Sequence, residues 1–403
     1  MRIIIIGMCL FCMVGGVSGT VGPFEISNAD SSTTARLQCV GQFQTVYESK
    51  DLGPGKESDE SIYMKVRRIR PTIVVSVPEY RTKFKLHLSA APGAIELMDC
   101  YFDVAIRPQF QVRIGQYKIP FTRYRIQSFQ RLTFVDWSLV TKYFGAERQM
   151  GLTIHNGYEK PSMYGYEFGI FNGVNARGSH AIGLSAVYGE EIINRSDLSE
   201  SAPKAEFHPE LVAHLSYNEE EIDVRSDSDE KRGPLGISVG ISAAWDLDPV
   251  QYEDLAVRLS EEILFKVNGA SCMAAHYLGF VRMGDSHRTQ LAFTGILIQC
   301  AYRVNSRVEF SLRFTEVDTE KDIRHAAYSR GQAIVNATMD SDIISQYKNA
   351  GMILWEKEGT VGFNVYLDGH GLKLQNDFGF TTHDRMDGDR TDYLVRSQLQ
   401  IAF

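Results

Sequence analysis

The chain has 403 residues, of which 44% are hydrophobic and 11% aromatic, and its formal net charge is -8. After the N-terminal segment no apolar run reaches the roughly 18 residues of a membrane-spanning helix, which excludes a helical membrane protein. The mean hydropathy of -0.19 does not exclude a membrane β-barrel, because barrel strands face lipid only at alternate residues.

The N-terminus has the pattern of an export signal. Met1 and Arg2 supply a positive charge, Ile3–Val14 is almost wholly apolar, and Gly15–Gly19 offers small residues suited to signal peptidase. The apolar segment is too short to span a membrane, so residues 1–19 are predicted to be a cleaved signal peptide. Residues 20–403 then form one exported domain.

Alternating apolar and polar residues recur through the rest of the chain, as in a strand with lipid on one face and water on the other. In chain order the pattern predicts strands near 35–47, 62–76, 80–89, 97–106, 110–117, 148–156, 163–172, 205–217, 236–246, 259–267, 270–283, 289–303, 307–317, 351–367, 372–382 and 392–403. Sixteen strands, with both termini on the periplasmic side, predict an all-β transmembrane antiparallel barrel. Two features fit poorly: Pro209 lies within the eighth predicted strand, and the acidic link 218–233 stands where a short turn is expected.

Tight turns and long polar stretches also alternate along the chain. Tight hairpins are predicted at 107–109, Asn268-Gly269, Asn305-Ser306 and Asp368-Gly369, because these residue pairs accept the positive φ that such turns need. Longer polar stretches lie at 49–61, 119–147, 173–204, 318–348 and 383–391. Short turns on one rim and long loops on the other are typical of a bacterial barrel.

The C-terminal strand is the clearest of the sixteen. Phe403, Ile401 and Leu399 alternate with Gln400 and Gln398. An aromatic residue at the carboxyl terminus of such a strand resembles the recognition signal of outer-membrane barrel proteins, which predicts an outer-membrane location. The alternative is an amphipathic edge strand of a soluble sandwich.

Four cysteines remain after the predicted signal peptide, Cys39, Cys100, Cys272 and Cys300. They are too few and too scattered for a disulfide framework, and they lack the spacing of a zinc site. We read them as small apolar residues that face lipid. Cys272 and Cys300 are equidistant from a predicted turn near Ser286, so a disulfide across that hairpin stays an open alternative.

Several motifs resemble the phosphate-selective porin O and P family. They are Arg113–Phe121, Phe134–Val140, Arg148–Gly151, Gly169–Gly173, Gly362–His370 and Leu372–Gln375. The resemblance implies a homotrimeric, sixteen-stranded barrel without a cofactor, whose third external loop folds into the lumen as a constriction. It implies passive diffusion of small solutes with a preference for anions. The resemblance is weak through residues 189–262.

The charge pattern agrees with a basic constriction. Residues 63–150 contain fifteen Lys or Arg against six Asp or Glu, and cationic side chains that line a narrow pore favour anions. Arginine also offers a planar fork that matches phosphate oxygens. The predicted pore-lining or anion-binding residues are Lys118, Arg123, Arg125, Arg131, Arg113, Arg148, Arg68 and Arg70. The alternative for each is an external position facing water or lipopolysaccharide phosphates. Arg67 and Arg68 are adjacent, so only one of them is expected to point inward.

The segment 190–262 has the opposite balance, with nineteen Asp or Glu against six Lys or Arg. Its runs at 219–221 and 227–230 are predicted to be solvated loop faces; binding of divalent cations at the membrane surface is the alternative. This balance makes general diffusion of small solutes a firmer expectation than strict phosphate selectivity.

Two other functional classes are alternatives. A weakly conducting structural or adhesive surface barrel would use the long loops 173–204 and 318–348. An enzyme is not expected, because the chain has no GxSxG or HExxH motif. The sequence also has no signature of a metal site or of nucleic-acid binding.

Overall fold

The computed structural model describes residues 24–28, 32–53, 55–91, 93–145, 148–172, 209–219, 222–247, 255–282, 290–319, 353–385 and 389–403. The predicted signal peptide and most of the two longest predicted loops lie outside these residues. Among the residues described, no helix is both long and apolar enough to cross a membrane.

The described part of the chain is almost wholly antiparallel strand. The strands are β1 (Phe24–Ser27), β2 (Thr34–Lys50), β3 (Asp59–Val77), β4 (Thr82–Ser89), β5 (Glu96–Arg107), β6 (Phe110–Lys118), β7 (Arg148–His155), β8 (Tyr164–Phe171), β9 (Glu210–Asn218), β10 (Gly236–Asp246), β11 (Leu255–Val267), β12 (Ala270–Arg282), β13 (Gln290–Arg303), β14 (Val308–Thr319), β15 (Ile353–Asp368), β16 (Leu372–Arg385) and β17 (Arg390–Ala402). Each strand from β2 to β16 pairs with the next, and β17 pairs with β2. The predicted closed barrel of sixteen strands is therefore confirmed.

Two details differ from the sequence prediction. The short strand β1 was not predicted, because four residues are too few to show a period; it pairs with β2 from Phe24↔Leu37 to Ser27↔Thr34. The eighth predicted strand begins at Glu210 in the structure, so placing Pro209 inside it was wrong. A proline before a strand removes no ladder hydrogen bond, because it lacks a backbone N–H.

The barrel wall is apolar outside and polar inside, the reverse of a soluble protein. In β14 the outward residues Phe310, Leu312 and Phe314 are 52%, 63% and 40% exposed, whereas Ser311 and Arg313 between them are each 4% exposed. Because a strand has a period of two, this pattern gives lipid one face and the lumen the other. The outward face of β14 thus matches the predicted lipid-facing pattern.

The strand β3 contains a β-bulge that sequence alternation did not predict. Gln42 of β2 pairs with Arg68, but the next residue, Phe43, pairs with Val66, so Arg67 is the extra residue. A bulge redirects side chains at the point where it interrupts the alternation. Both Arg67 and Arg68 consequently reach the same carboxylate, that of Asp136, and the expectation that only one points inward was wrong.

The predicted hairpin turns and one cysteine pair are present. Asn268 and Gly269 have φ of 48° and 91° between β11 and β12, as the predicted turn requires. Cys272 and Cys300 lie directly opposite each other on β12 and β13 and form a disulfide. Of the two alternatives for this pair, the structure therefore shows the disulfide.

The described residues 119–145 between β6 and β7 contain two short α-helices, α1 (Arg123–Ile126) and α2 (Val140–Phe144), and a 3-10 turn at Phe129–Arg131. The apolar side chains of this segment are deeply buried, and Ile119, Phe121 and Val140 are 0% exposed. The segment hydrogen-bonds to side chains of β11 and of the neighbouring strands β15 and β16, and three strands separate β11 from β15 along the wall. One segment reaches all three strands because it packs against their lumenal faces.

The barrel seam is closed at Phe403. Its backbone N–H donates to the Cys39 carbonyl at 3.0 Å, and its carbonyl accepts from the Cys39 N–H at 2.8 Å. Deleting Phe403 is expected to lower the yield of assembled barrel, because both bonds and the terminal aromatic ring are lost. Heat-modifiable migration on gels measures this yield. Phe403→Tyr, which keeps the ring and the backbone, is the matched control; a normal yield after deletion would contradict the expectation.

Candidate functional site: the constricted lumen

One side of the third external loop is bonded directly to the wall near the seam. Gln375 of β16 donates to the carbonyl of Leu132 at 3.0 Å, and Asn364 of β15 donates to that of Thr133 at 2.7 Å. The Val135 N–H donates to Asp377 at 3.1 Å. These polar wall groups are buried, so the backbone of the loop satisfies hydrogen bonds that water would otherwise make.

The carboxylate of Asp136 is the main ionic anchor on this side. It accepts from Arg67 at 2.7 Å and from Arg68 at 2.8 Å. Burial alone would raise the pKa of Asp136, but the two guanidiniums outweigh it and hold that pKa well below its usual range. The carboxylate therefore stays ionised at any physiological pH.

Lys118, at the start of the loop, holds the turn that follows α1. Its ammonium donates to the carbonyls of Arg125 at 2.9 Å and Gln127 at 2.8 Å. A cation at the carbonyl end of a helical turn also interacts favourably with the peptide dipoles. Lys118 and Arg125 both lie about 5 Å from the centroid of the Trp137 ring, at 5.1 Å and 5.0 Å, so the predicted family motif at 134–140 packs against predicted site residues.

The acidic link between β9 and β10 does not form the solvated face predicted for it. Within residues 222–231, which we call the inner segment, Asp227 and Asp229 are only 5% and 6% exposed. Gln127 donates to Asp227 at 2.7 Å, and the Gly269 N–H donates to Asp229 at 2.7 Å. The prediction was wrong because hydrogen bonds within the barrel replace the water that these carboxylates would otherwise require. Residues 220–221 lie outside the described part.

A cavity of about 800 Å³ remains beside these two segments. It is bounded by the lumenal faces of β4–β7, the turn after β7, the third loop and the inner segment. Among the described residues, eight Lys or Arg and four Asp or Glu line it: Lys85, Arg113, Lys118, Arg131, Arg148, Lys160, Arg225 and Lys231, with Asp99, Glu159, Glu219 and Asp223. Four of the eight predicted site residues therefore meet in one cavity, namely Lys118, Arg131, Arg113 and Arg148.

Asp99 organises the cations on the β4–β7 side. Its carboxylate accepts from Arg148 at 2.5 Å and contacts His87 Nδ1 at 2.9 Å. The Lys85 ammonium lies 3.7 Å away. One carboxylate thus positions two basic side chains, so basic groups outnumber acidic ones in this part of the cavity.

The Arg113 side chain is held in one position by an ion pair and by two aromatic rings. Its guanidinium pairs with Asp103 at 2.5 Å and lies between the rings of Tyr101 and Tyr158, 4.0 Å and 3.9 Å from their centroids. Stacking and pairing fix the plane of the guanidinium. Arg113 therefore contributes a fixed positive charge to the cavity wall.

The other four predicted residues do not line this cavity. Arg68 is buried against Gln42 and Asp136, and Arg70 lies 5.3 Å from the centroid of the Phe129 ring. Arg125 contacts Trp137. Arg123 is 4% exposed and donates to the Val224 carbonyl at 2.9 Å, which joins the third loop to the inner segment. A direct role of these four in anion binding stays a prediction.

Four cations of the cavity were not predicted from the sequence: Lys85, Lys160, Arg225 and Lys231. Lys85 could have been found, because it alternates with apolar residues in β4 on the same face as His87. Lys160, Arg225 and Lys231 lie in irregular turns, where alternation carries no information about which side chain faces the lumen.

Comparisons with known proteins agree with this geometry. Residues 38–190 match the family model described as phosphate-selective porin O and P. These residues include the third loop and most of the cavity wall. Over these residues the chain is similar to phosphate-selective porins, and its strands form a closed antiparallel barrel. The predicted resemblance to that family is confirmed over this part of the sequence.

Solved structures match over nearly the whole chain. The outer membrane channel DcaP of Acinetobacter baumannii has 12% identity and a TM-score of 0.57, covering 94% of this chain and 99% of that one. Pseudomonas putida OprB has 10% identity and a TM-score of 0.59, covering 93% and 95%. An anion-selective porin from Comamonas acidovorans has 11% identity and a TM-score of 0.54, covering 92% and 100%. A search of curated proteins finds no match.

Proposed function

We propose that this porin is a passive diffusion channel that favours small anions, phosphate-like ones among them. The observation that carries the proposal is the cavity beside the third loop, which eight cationic and four anionic side chains line. The described lining cations therefore outnumber the described lining acids by four. Charges of this kind in a narrow pore lower the barrier for anions and raise it for cations.

The geometry also supports stepwise passage. Lys118 and Arg148 lie at the level of the third loop, whereas Lys160 and Lys231 lie in turns on the periplasmic side. An anion that passes the loop therefore meets further cations before it leaves. Arg131 at 43% side-chain exposure and Lys85 at 25% retain access to solute.

We further propose how the chain is exported and which membrane components it contacts. Residues 1–19 serve as the signal peptide, the apolar outer wall contacts lipid, and basic external residues contact lipopolysaccharide. The resemblance to the family supports assembly as a homotrimer. The channel needs no cofactor and has no catalytic role.

The test is the reversal potential of the refolded barrel in a planar bilayer under a salt gradient. The variant Lys85→Gln, Arg131→Gln and Lys160→Gln removes three cations from the cavity, and it leaves Asp99 without Lys85 and Asp223 without Arg131. We expect the anion-to-cation permeability ratio to fall severalfold, and millimolar phosphate to lose most of its block of the chloride current.

The matched control removes three exposed cations outside the cavity, through Lys56→Gln, Arg107→Gln and Arg307→Gln. Both variants change the net charge equally. At physiological salt, charges interact over only about 8 Å, so the control positions should have little effect on an ion inside the cavity. Equal permeability ratios in the two variants would contradict the proposal. A folded wild-type barrel without conductance steps would favour the structural surface barrel instead.

A further inference from the structure

The inner segment, residues 222–231, crosses the periplasmic end of the lumen. It leaves the wall after β9 and reaches the turn between β15 and β16, where Glu230 lies 2.9 Å from His370 Nε2. On its way it passes the ends of β11 and β13. A short hairpin would connect β9 to β10 directly, because Asn218 pairs with Ser238 and the Glu219 N–H donates to the Ile237 carbonyl.

Wall residues hold the inner segment from both sides. The Lys266 ammonium donates to the carbonyls of Asp223 and Ser228, each at 2.7 Å. Ser228 also hydrogen-bonds to Glu309 of β14. On the opposite side Arg225 donates to the Tyr158 carbonyl at 2.5 Å.

The inner segment is also bonded to the third loop above it. Arg131 pairs with Asp223 at 2.8 Å, and the Asp227 N–H donates to the Arg131 carbonyl at 3.4 Å. Arg123 and Gln127 complete this contact through the Val224 carbonyl and the Asp227 carboxylate. Val224, Ser226 and Ser228 are 5%, 0% and 1% exposed, as expected of a packed interior and not of a solvated turn.

We infer that the inner segment is a fixed second constriction that closes the β11–β16 side of the lumen and confines solutes to the cavity along β4–β7. The inference rests on the proposed channel function and adds the solute route to it. The segment also explains how an acidic link coexists with an anion path. Its acids Asp227 and Asp229 are buried and do not line the cavity, whereas Arg225 and Lys231 line it together with Asp223, which pairs with Arg131.

The first test replaces residues 222–231 by Gly-Gly-Ser-Gly, which still spans the adjacent ends of β9 and β10. We expect single-channel conductance to rise severalfold, because the closed side of the lumen opens. Heat-modifiable migration shows whether the variant is folded. An unchanged conductance from the folded variant would overturn the inference, even if the wild-type channel has the proposed anion preference.

The second test measures the position of the inner segment without any conductance. Ser226→Cys and Ser306→Cys are made separately in a background in which Cys39 and Cys100 are Ser, and each reacts with a membrane-impermeant thiol reagent. Ser306 lies in an exposed turn on the same rim. We expect Ser226→Cys to react at least about tenfold more slowly, since it reacts only after local opening. Equal rates would show that the inner segment is not packed against the barrel wall. This outcome does not depend on whether the barrel conducts or on whether the shortened variant folds.

Discussion

Replacing Asp136 by Asn is expected to release the third loop from the wall and to lower the free energy of unfolding by about 3–5 kcal/mol, the cost of removing one partner of a buried ion pair. Two guanidiniums, those of Arg67 and Arg68, lose their shared carboxylate. Arg68 is 5% exposed and has little access to water as a substitute. The released loop should also make the single-channel current noisier.

Urea unfolding followed by heat-modifiable migration measures the stability, and a planar-bilayer recording measures the current noise. Asp59→Asn is the matched control, because Asp59 is an exposed residue at the external end of β3. Equal unfolding midpoints for the two variants would show that the Asp136 anchor contributes nothing. A shifted midpoint with an unchanged current would place the anchor outside the solute path.

Because of the Asp136 carboxylate, we expect the stability of the third loop to depend on pH. The pKa of Asp136 in the folded protein is held well below its usual range by Arg68 and Arg67, against the effect of burial. Its contribution to stability is therefore complete above pH about 5 and is lost as the pH falls through the acid range. Current noise in the wild type should rise below pH about 4 and should change far less in Asp136→Asn.

Replacing Gly115 by Ala is expected to abolish most barrel assembly. Gly115 has φ of 135°, and a Cβ there would lie 2.2 Å from the Cys100 carbonyl oxygen and 2.6 Å from the Tyr101 Cα. Both are backbone atoms of the neighbouring strand and cannot rotate away. The strained φ alone costs about 1–3 kcal/mol, and the overlap forces β5 and β6 apart.

The matched control is Gly233→Ala, because a Cβ at Gly233 meets nothing within 4 Å. The yield of heat-modifiable barrel after refolding measures the effect for both variants. The consequence should extend to the cavity, because Tyr101 pairs directly with Gly115 on β5 and Arg113 lies two residues before Gly115 on β6. A normal yield of Gly115→Ala would mean that the two strands separate locally at low cost.

The sequence by itself determined the barrel. Side chains of a strand alternate with a period of two, and a wall between lipid and water displays that period in every strand. Sixteen strands, their order and hairpins such as Asn268-Gly269 therefore follow from local patterns. The basic third loop was also predicted, because its motifs and charges are contiguous in the chain.

Only the tertiary structure decided which charges line the same cavity. Arg123 and Arg131 belong to the same loop, yet one is buried against the inner segment and the other lines the cavity. The acidic link lies inside the barrel because Lys266, Gln127 and the backbone of distant strands bind it. Such contacts join residues far apart in the chain, so no local period encodes them. At Arg67 the bulge also interrupts the two-residue alternation of β3, so alternation does not predict the direction of that side chain. The physical reason is that alternation specifies the faces of strands, whereas the direction of an irregular segment depends on the partners that the closed barrel brings to it.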